Sequence, residues 1–287
     1  MFFIVQNLIL NQDAMSTSAT LRDLTIEVNH PQLMQKTLQL LDEQGVMIIR
    51  NYLDASKLQS LIGEYEKLLE LENNFVKVLP YPQGKGTNID FSKLPTDQFP
   101  ITTEVFNAAF MRKVTDAYLG TPNHFNHEIF VARDEHHPHN ALNDMHYDRL
   151  STLKFFLYLN DIDASNGAFE CVPGSHKLAR QIMDFYRKRG WKLVKLPNRK
   201  LPPHLDKGIP MAAPAGSLIV FTTDAYHRAG SVDPGKNRMI MRGHCRPDPM
   251  PKYGPKLFSS QWLQESPLNL ARYYYAISDR FSGDKPY

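Results

Sequence analysis

Residues 152–161 read TLKFFLYLND. The run is short, aromatic and apolar, and it closes on an Asn-Asp turn signal, so it reads as a strand. Alternate side chains of a strand point to opposite faces. Leu153, Phe155 and Leu157 therefore share one face, and Lys154, Phe156 and Tyr158 share the other. Four similar runs lie around it: HEIFVAR (127–133), AFECVPG (168–174), GSLIVFTT (216–223) and NRMIMRGHC (237–245). Five short β runs punctuated by Gly, Asn, Asp and Pro point to a barrel or jelly roll. The N-terminal third has a different texture. Residues 31–44 and 54–71 carry apolar residues at helical spacing, with Pro31 placed for a first turn and Asp54 for an N-cap, and 45–53 read as a strand between them. Residues 80–100 are rich in Pro, Gly and Asp and read as loop, and a helix is expected near 103–119, ending at Gly120. The expected architecture is one domain over 1–287, mainly β with flanking helices. It has a helical N-terminal layer (1–120), a β core (121–246) with an insertion at 176–210 that opens with a helix to about 190, and C-terminal turns with a helix near 266–280 (247–287).

Composition narrows the class. A hydrophobic fraction of 42% over 287 residues is enough for a real core. No run of 18 apolar residues occurs, so no spanning helix is expected. MFFIVQNLIL at the start lacks a positive flank and makes a poor secretory signal. Two cysteines, Cys171 and Cys245, give no disulfide framework; they read as buried thiols of a cytoplasmic protein.

Residues 135–148, EHHPHNALNDMHYD, concentrate potential metal ligands. His146 and Asp148 are two apart, so on a strand both reach the same side. A third ligand follows a later strand in GSLIVFTTDAYHRAG, where His227 stands at a strand end that a jelly roll can bring to the same mouth. Two histidines and a carboxylate with open positions form the ligand set of non-heme Fe(II) oxygenases. His136, His137 and His139 surround Pro138 and read as loop histidines. Eleven residues after His227 comes Arg238, inside an apolar strand run. A buried arginine needs a partner, and a dicarboxylate would supply one through a bidentate pair.

The motifs His146-x-Asp148, His227 and Arg238, together with LKFFLYLNDIDASNGAFECVPGSHK (153–177) and HRAG (227–230), resemble the phytanoyl-CoA dioxygenase family over roughly 125–246. The resemblance implies a double-stranded β-helix (jelly roll, cupin-like) core. It also implies hydroxylation with Fe(II), O2 and 2-oxoglutarate, the last being converted to succinate. By the same resemblance, His146, Asp148 and His227 would ligate iron, and Arg238 would take the distal carboxylate of 2-oxoglutarate. Phe156 would stand near the cosubstrate, and His127 lies near a further contact position. Asp148 favours hydroxylation, because related halogenases lack this carboxylate. Lys154, on the Phe156 face, needs an anion if buried, and 2-oxoglutarate or an acidic substrate is the expected one, unless it reaches out to solvent at the strand end.

The family does not fix the substrate. Charge narrows it. Residues 177–207 carry ten Lys or Arg and two Asp, a net of +8, so the remainder of a +3 chain carries −5. This points to an anionic partner. In length and basic character the chain is similar to the branch that hydroxylates Kdo, the acidic sugar of lipid A-type lipopolysaccharide. That substrate would place it peripherally at the inner membrane. Acyl-CoA or small-metabolite hydroxylation is the alternative. A nucleic-acid substrate is disfavoured because no cluster of aromatics forms a stacking platform. A non-enzymatic metal-binding barrel is disfavoured by the complete triad with Arg238.

Overall fold

In the computed structural model, which describes residues 19–78, 84–137, 144–148, 152–187 and 206–248, the expected β runs wind into two facing sheets. The strands are β1 (Thr25–Glu27), β2 (Val46–Arg50), β3 (Val76–Val78), β4 (Gly84–Asp90), β5 (Asn123–Glu135), β6 (Leu153–Tyr158), β7 (Glu170–Cys171), β8 (Ile209–Pro210), β9 (Leu218–Thr222), β10 (His227–Arg228) and β11 (Asn237–Pro247). The large sheet has the order β1-β2-β9-β6-β11-β5-β4-β3, and the small one β10-β7-β8. His146 extends the small sheet by bridging His227. From β5 onward the chain therefore passes back and forth between the two sheets, which is the winding of a double-stranded β-helix.

Period-two alternation separates two cores. Leu153, Phe155 and Leu157 join Met47, Ile49, Val220 and Met241 against the helices. Phe156 and Tyr158 join Ile219, Phe221 and Ile240 against Phe169 and Cys171 of the small sheet. The face of β6 that bears Lys154 is thus the interior of the β-helix, as the sequence implied. Cys171 and Cys245 are buried free thiols.

The outer face is covered by α1 (Leu33–Glu43), α2 (Ala55–Leu69), α3 (Pro100–Phe106) and α4 (Ala109–Leu119). In α2, Leu61, Tyr65 and Leu68 recur at helical spacing and face the sheet, and the Asp54 carboxylate accepts from the Lys57 amide at 2.8 Å as the N-cap. Three expectations are corrected. Pro31 lies outside α1, whose N-cap is Gln32. The helix expected over 103–119 is two helices, because Asn126 Nδ2 donates to the Phe106 carbonyl at 2.7 Å and takes the acceptor a continuous helix would use. Residues read as loop contain β4, which pairs with β5 from Gly84 opposite Asp134 to Asp90 opposite Glu128. The free edge of a thirteen-residue strand induces pairing that local propensity does not predict. The expected helix near 266–280, the N-terminal MFFIVQNLIL and most of the basic insertion lie outside the described residues.

The insertion opens with α5 (Ser175–Arg187). One of its cations is internal: Arg180 donates to Asp224 at 2.9 Å and to the Tyr118 hydroxyl at 3.0 Å. Beside it, His176 is fully buried; its Nε2–H donates to the Asp42 carbonyl at 2.9 Å and its Nδ1 has no partner among the described residues. Burial, reinforced by Arg180, pulls His176 down to about 4. An unfolded histidine titrates near about 6.5. Between those values the unfolded chain binds the extra proton, so stability falls as pH drops from about 6.5 towards 4. Thermal melts across that range should show the fall. They should show a shallower one for His176→Gln, which keeps a donor for Asp42; equal slopes would contradict the assignment.

Candidate metal centre

The two histidines are brought together by backbone pairing. The His146 amide donates to the His227 carbonyl at 3.0 Å, and the His227 amide returns to the His146 carbonyl at 2.7 Å. The Asp148 amide donates to the Thr223 carbonyl at 2.9 Å, which ties the acid to the end of β9. His146 is a single bridge residue rather than part of a regular strand, yet the two-residue spacing still delivers both side chains to one point. One ligand atom from each of His146, Asp148 and His227 lies within 4.8 Å of the others. Asp148 Oδ1 is 3.8 Å from both His146 Nε2 and His227 Nε2.

The donor set fits a metal ion. His146 Nδ1 is 2.7 Å from the Asp144 carbonyl, and His227 Nδ1 is 2.8 Å from the Ala225 carbonyl. A carbonyl only accepts, so each Nδ1 carries the proton and each Nε2 presents its lone pair to the shared point, the arrangement that metal-ligating histidines require. Burial lowers His227 to about 3, which keeps it neutral at physiological pH. Burial pushes the Asp148 carboxyl up, but the Lys154 ammonium beside it holds it well below the usual range, so it is ionised.

Lys154 Nζ donates to Asp148 Oδ2 at 2.6 Å, and Lys154 is only 8% exposed. An anion beside its ammonium is therefore a residue of the triad itself, a partner that the sequence reading did not name. The bond engages Oδ2 and leaves Oδ1 facing the imidazoles. Arg238 also has an internal partner. It is 3% exposed, Asp134 is 2% exposed, and Nε and Nη2 both lie 2.6 Å from Asp134 Oδ2. The two residues are direct neighbours across β11 and β5. Nη1 donates to the Gly167 carbonyl in the Asn166–Gly167 turn. Phe156 lies alongside, its ring centroid 5.8 Å from the guanidinium carbon. His127 Nδ1 faces the His244 carbonyl at 3.0 Å, and His136 Nδ1 faces the Val232 carbonyl at 2.8 Å; His139 is outside the described residues. Asp134 was missed by sequence reasoning, although the pairing of two long strands sets it opposite Arg238.

A double-stranded β-helix with two histidines and one carboxylate at its mouth defines the class of non-heme iron oxygenases. Residues 41–240 match phytanoyl-CoA dioxygenase (PhyH), and the chain belongs to that family. It is accordingly an Fe(II)- and 2-oxoglutarate-dependent oxygenase that uses O2. No curated protein matches the sequence. Among solved structures, the epimerase SnoN from nogalamycin biosynthesis is similar, with 15% identity over 80% of this chain and 93% of that one, at a TM-score of 0.53. HygX from Streptomyces hygroscopicus, with nickel and 2-oxoglutarate bound, has 14% identity over 75% and 87% at 0.53. AviO1 from Streptomyces viridochromogenes Tue57 has 16% over 77% and 97% at 0.51. At these identities the likeness shows the fold. No helix among the described residues is long and apolar enough to cross a membrane.

Proposed function

We propose that His146, Asp148 and His227 hold the Fe(II), that Arg238 pairs with the distal carboxylate of 2-oxoglutarate beside Phe156, and that the enzyme hydroxylates an unactivated C–H bond of an anionic substrate. The observation that carries this reading is the convergence of two Nδ1-anchored imidazoles and one ionised carboxylate on a single point. Iron and 2-oxoglutarate supply the oxidation: O2 gives one oxygen to succinate, released with CO2, and the other to the C–H bond. The chain supplies position and exclusion of water. Backbone carbonyls fix both imidazoles, and Lys154 fixes the carboxylate. Phe169 and Phe221 wall the inner side of His227, their centroids 5.7 and 5.3 Å from its ring.

The favoured substrate is the Kdo sugar of lipid A-type lipopolysaccharide, met by a cytoplasmic enzyme stationed at the inner membrane surface. Its support is the net charge over 177–207, +8 in all and +7 without Arg180, which matches an anionic glycolipid surface, and the similarity to Kdo 3-hydroxylases. Arg180 is excluded from that surface because it is used inside the fold. The test is succinate release by purified enzyme with Fe(II), 2-oxoglutarate and O2, with and without Kdo-lipid A. Stimulation by the glycolipid is the expected result. Release that ignores it would keep the oxygenase and remove this substrate in favour of an acyl-CoA or other metabolite.

A further inference from the structure

The interior face of the large sheet changes character along its strands. In the middle of β11 it is apolar, with Ile240 paired with Tyr158 on β6 and Ala132 on β5. Towards the end next to the triad it carries charge. Cross-strand register sets Arg242 between Phe156 on β6 and Phe130 on β5, and places Asn88 of β4 on the far side of Phe130. In the adjacent row His244 stands between Lys154 on β6 and Glu128 on β5. Lys154 in turn holds Asp148. A polar track therefore runs from the triad across β6, β11, β5 and β4, separated from the Arg238–Asp134 pair by the apolar row at Ile240.

Its parts are fixed in position. Arg242 Nε donates to His244 Nε2 at 2.9 Å, and its guanidinium carbon lies 4.7 Å from the centre of the Phe130 ring and 5.9 Å from that of Phe156. The cation thus lies over an aromatic floor, and a guanidinium carries the planar fork that pairs with a carboxylate. Phe130 is only 4% exposed, so the floor is covered. Asn88 Oδ1 is buried and has no hydrogen-bond partner among the described residues. Burial raises the Glu128 carboxyl. A buried acceptor without a donor costs free energy unless a ligand completes it. Neighbouring strands lie about 4.8 Å apart, so Arg242 and Asn88, two strands from each other, span roughly 10 Å.

We infer that this track binds the primary substrate, and that Arg242 is the residue that selects its carboxylate. The complementary molecule bears a carboxylate at one end for Arg242 and hydroxyl donors along its length for Asn88 Oδ1 and Glu128, over about 10 Å. That is the chemistry of a sugar acid. The inference rests on the oxygenase reading of the neighbouring triad, which supplies the reacting end.

The test is calorimetric titration of the enzyme loaded with Ni(II) and 2-oxoglutarate. The probes are free Kdo, N-acetylneuraminate, galacturonate and gluconate, each beside its methyl ester. At least one acid should bind, with its ester about 10- to 100-fold weaker, the range for a hydrogen bond to a charged group. Arg242→Gln should weaken that acid by the same factor and bring acid and ester level, while Arg242→Lys should retain part of the preference. Asn88→Ala should weaken acid and ester alike. Binding of no acid, equal binding of acid and ester by the unaltered enzyme, or undiminished acid binding by Arg242→Gln would overturn the inference. An enzyme that turns over 2-oxoglutarate yet ignores every acid fails this inference alone; one that takes up no metal fails the oxygenase reading and this one together.

Discussion

His227→Ala abolishes iron uptake and 2-oxoglutarate turnover together. The expected fall in succinate formation exceeds about 100-fold, the upper range for removing merely a hydrogen-bond partner of a metal ligand. His227 contributes one of the three donors that lie within 4.8 Å. Its backbone amide and carbonyl, which pair with His146, survive the substitution, so the fold should persist. Circular dichroism and a melting curve check that persistence, and metal analysis checks the loss. His146→Ala should behave the same way. Asp148→Ala should also abolish turnover, but it leaves the Lys154 ammonium without its carboxylate, so it mixes loss of a ligand with destabilisation. Full activity in any of these variants would remove the site assignment.

Asp134→Asn destabilises the protein and makes its stability depend on 2-oxoglutarate. The carboxylate accepts both Nε and Nη2 of Arg238 in a nearly water-free setting. Removing one member of such a pair leaves an uncompensated buried charge, at a cost of about 3 kcal/mol. If Arg238 also receives the distal carboxylate of 2-oxoglutarate, the cosubstrate restores the missing anion. The rise in melting temperature on adding 2-oxoglutarate should then be larger in Asp134→Asn than in the unaltered enzyme. Arg238→Ala should raise the 2-oxoglutarate requirement by about 10- to 100-fold and gain little from the cosubstrate. An equal increment in Asp134→Asn and the unaltered enzyme, or an unchanged requirement in Arg238→Ala, would place the anchor elsewhere.

Much of this site was legible in the sequence, for a physical reason. Two-residue periodicity is a property of the backbone alone, so TLKFFLYLND declared which of its residues face inward, and Lys154, Phe156 and Tyr158 do. Ligand types at short spacing declared His146 and Asp148, and a strand end declared His227. What stayed hidden depends on which strands meet. β4 exists because β5 presents an edge, and GKGTNID carries little strand propensity of its own. The partners of Lys154 and Arg238 come from positions six and 104 residues away, Asp148 and Asp134, and no local pattern identifies them. Arg242 is a different case. In NRMIMRGHC it shares the two-residue phase of Arg238, so the argument applied to Lys154 would have turned it inward as well; the reading stopped at Arg238 because that position matched the family.

The most direct test of the central claim is anaerobic titration of the purified chain with Fe(II) and 2-oxoglutarate, followed by metal analysis and visible absorption. One iron per chain is predicted, with a charge-transfer band that needs both iron and 2-oxoglutarate and is absent from His227→Ala. Iron bound equally well by His227→Ala, or bound without any such band, would contradict a 2-oxoglutarate-chelating iron centre built on His146, Asp148 and His227.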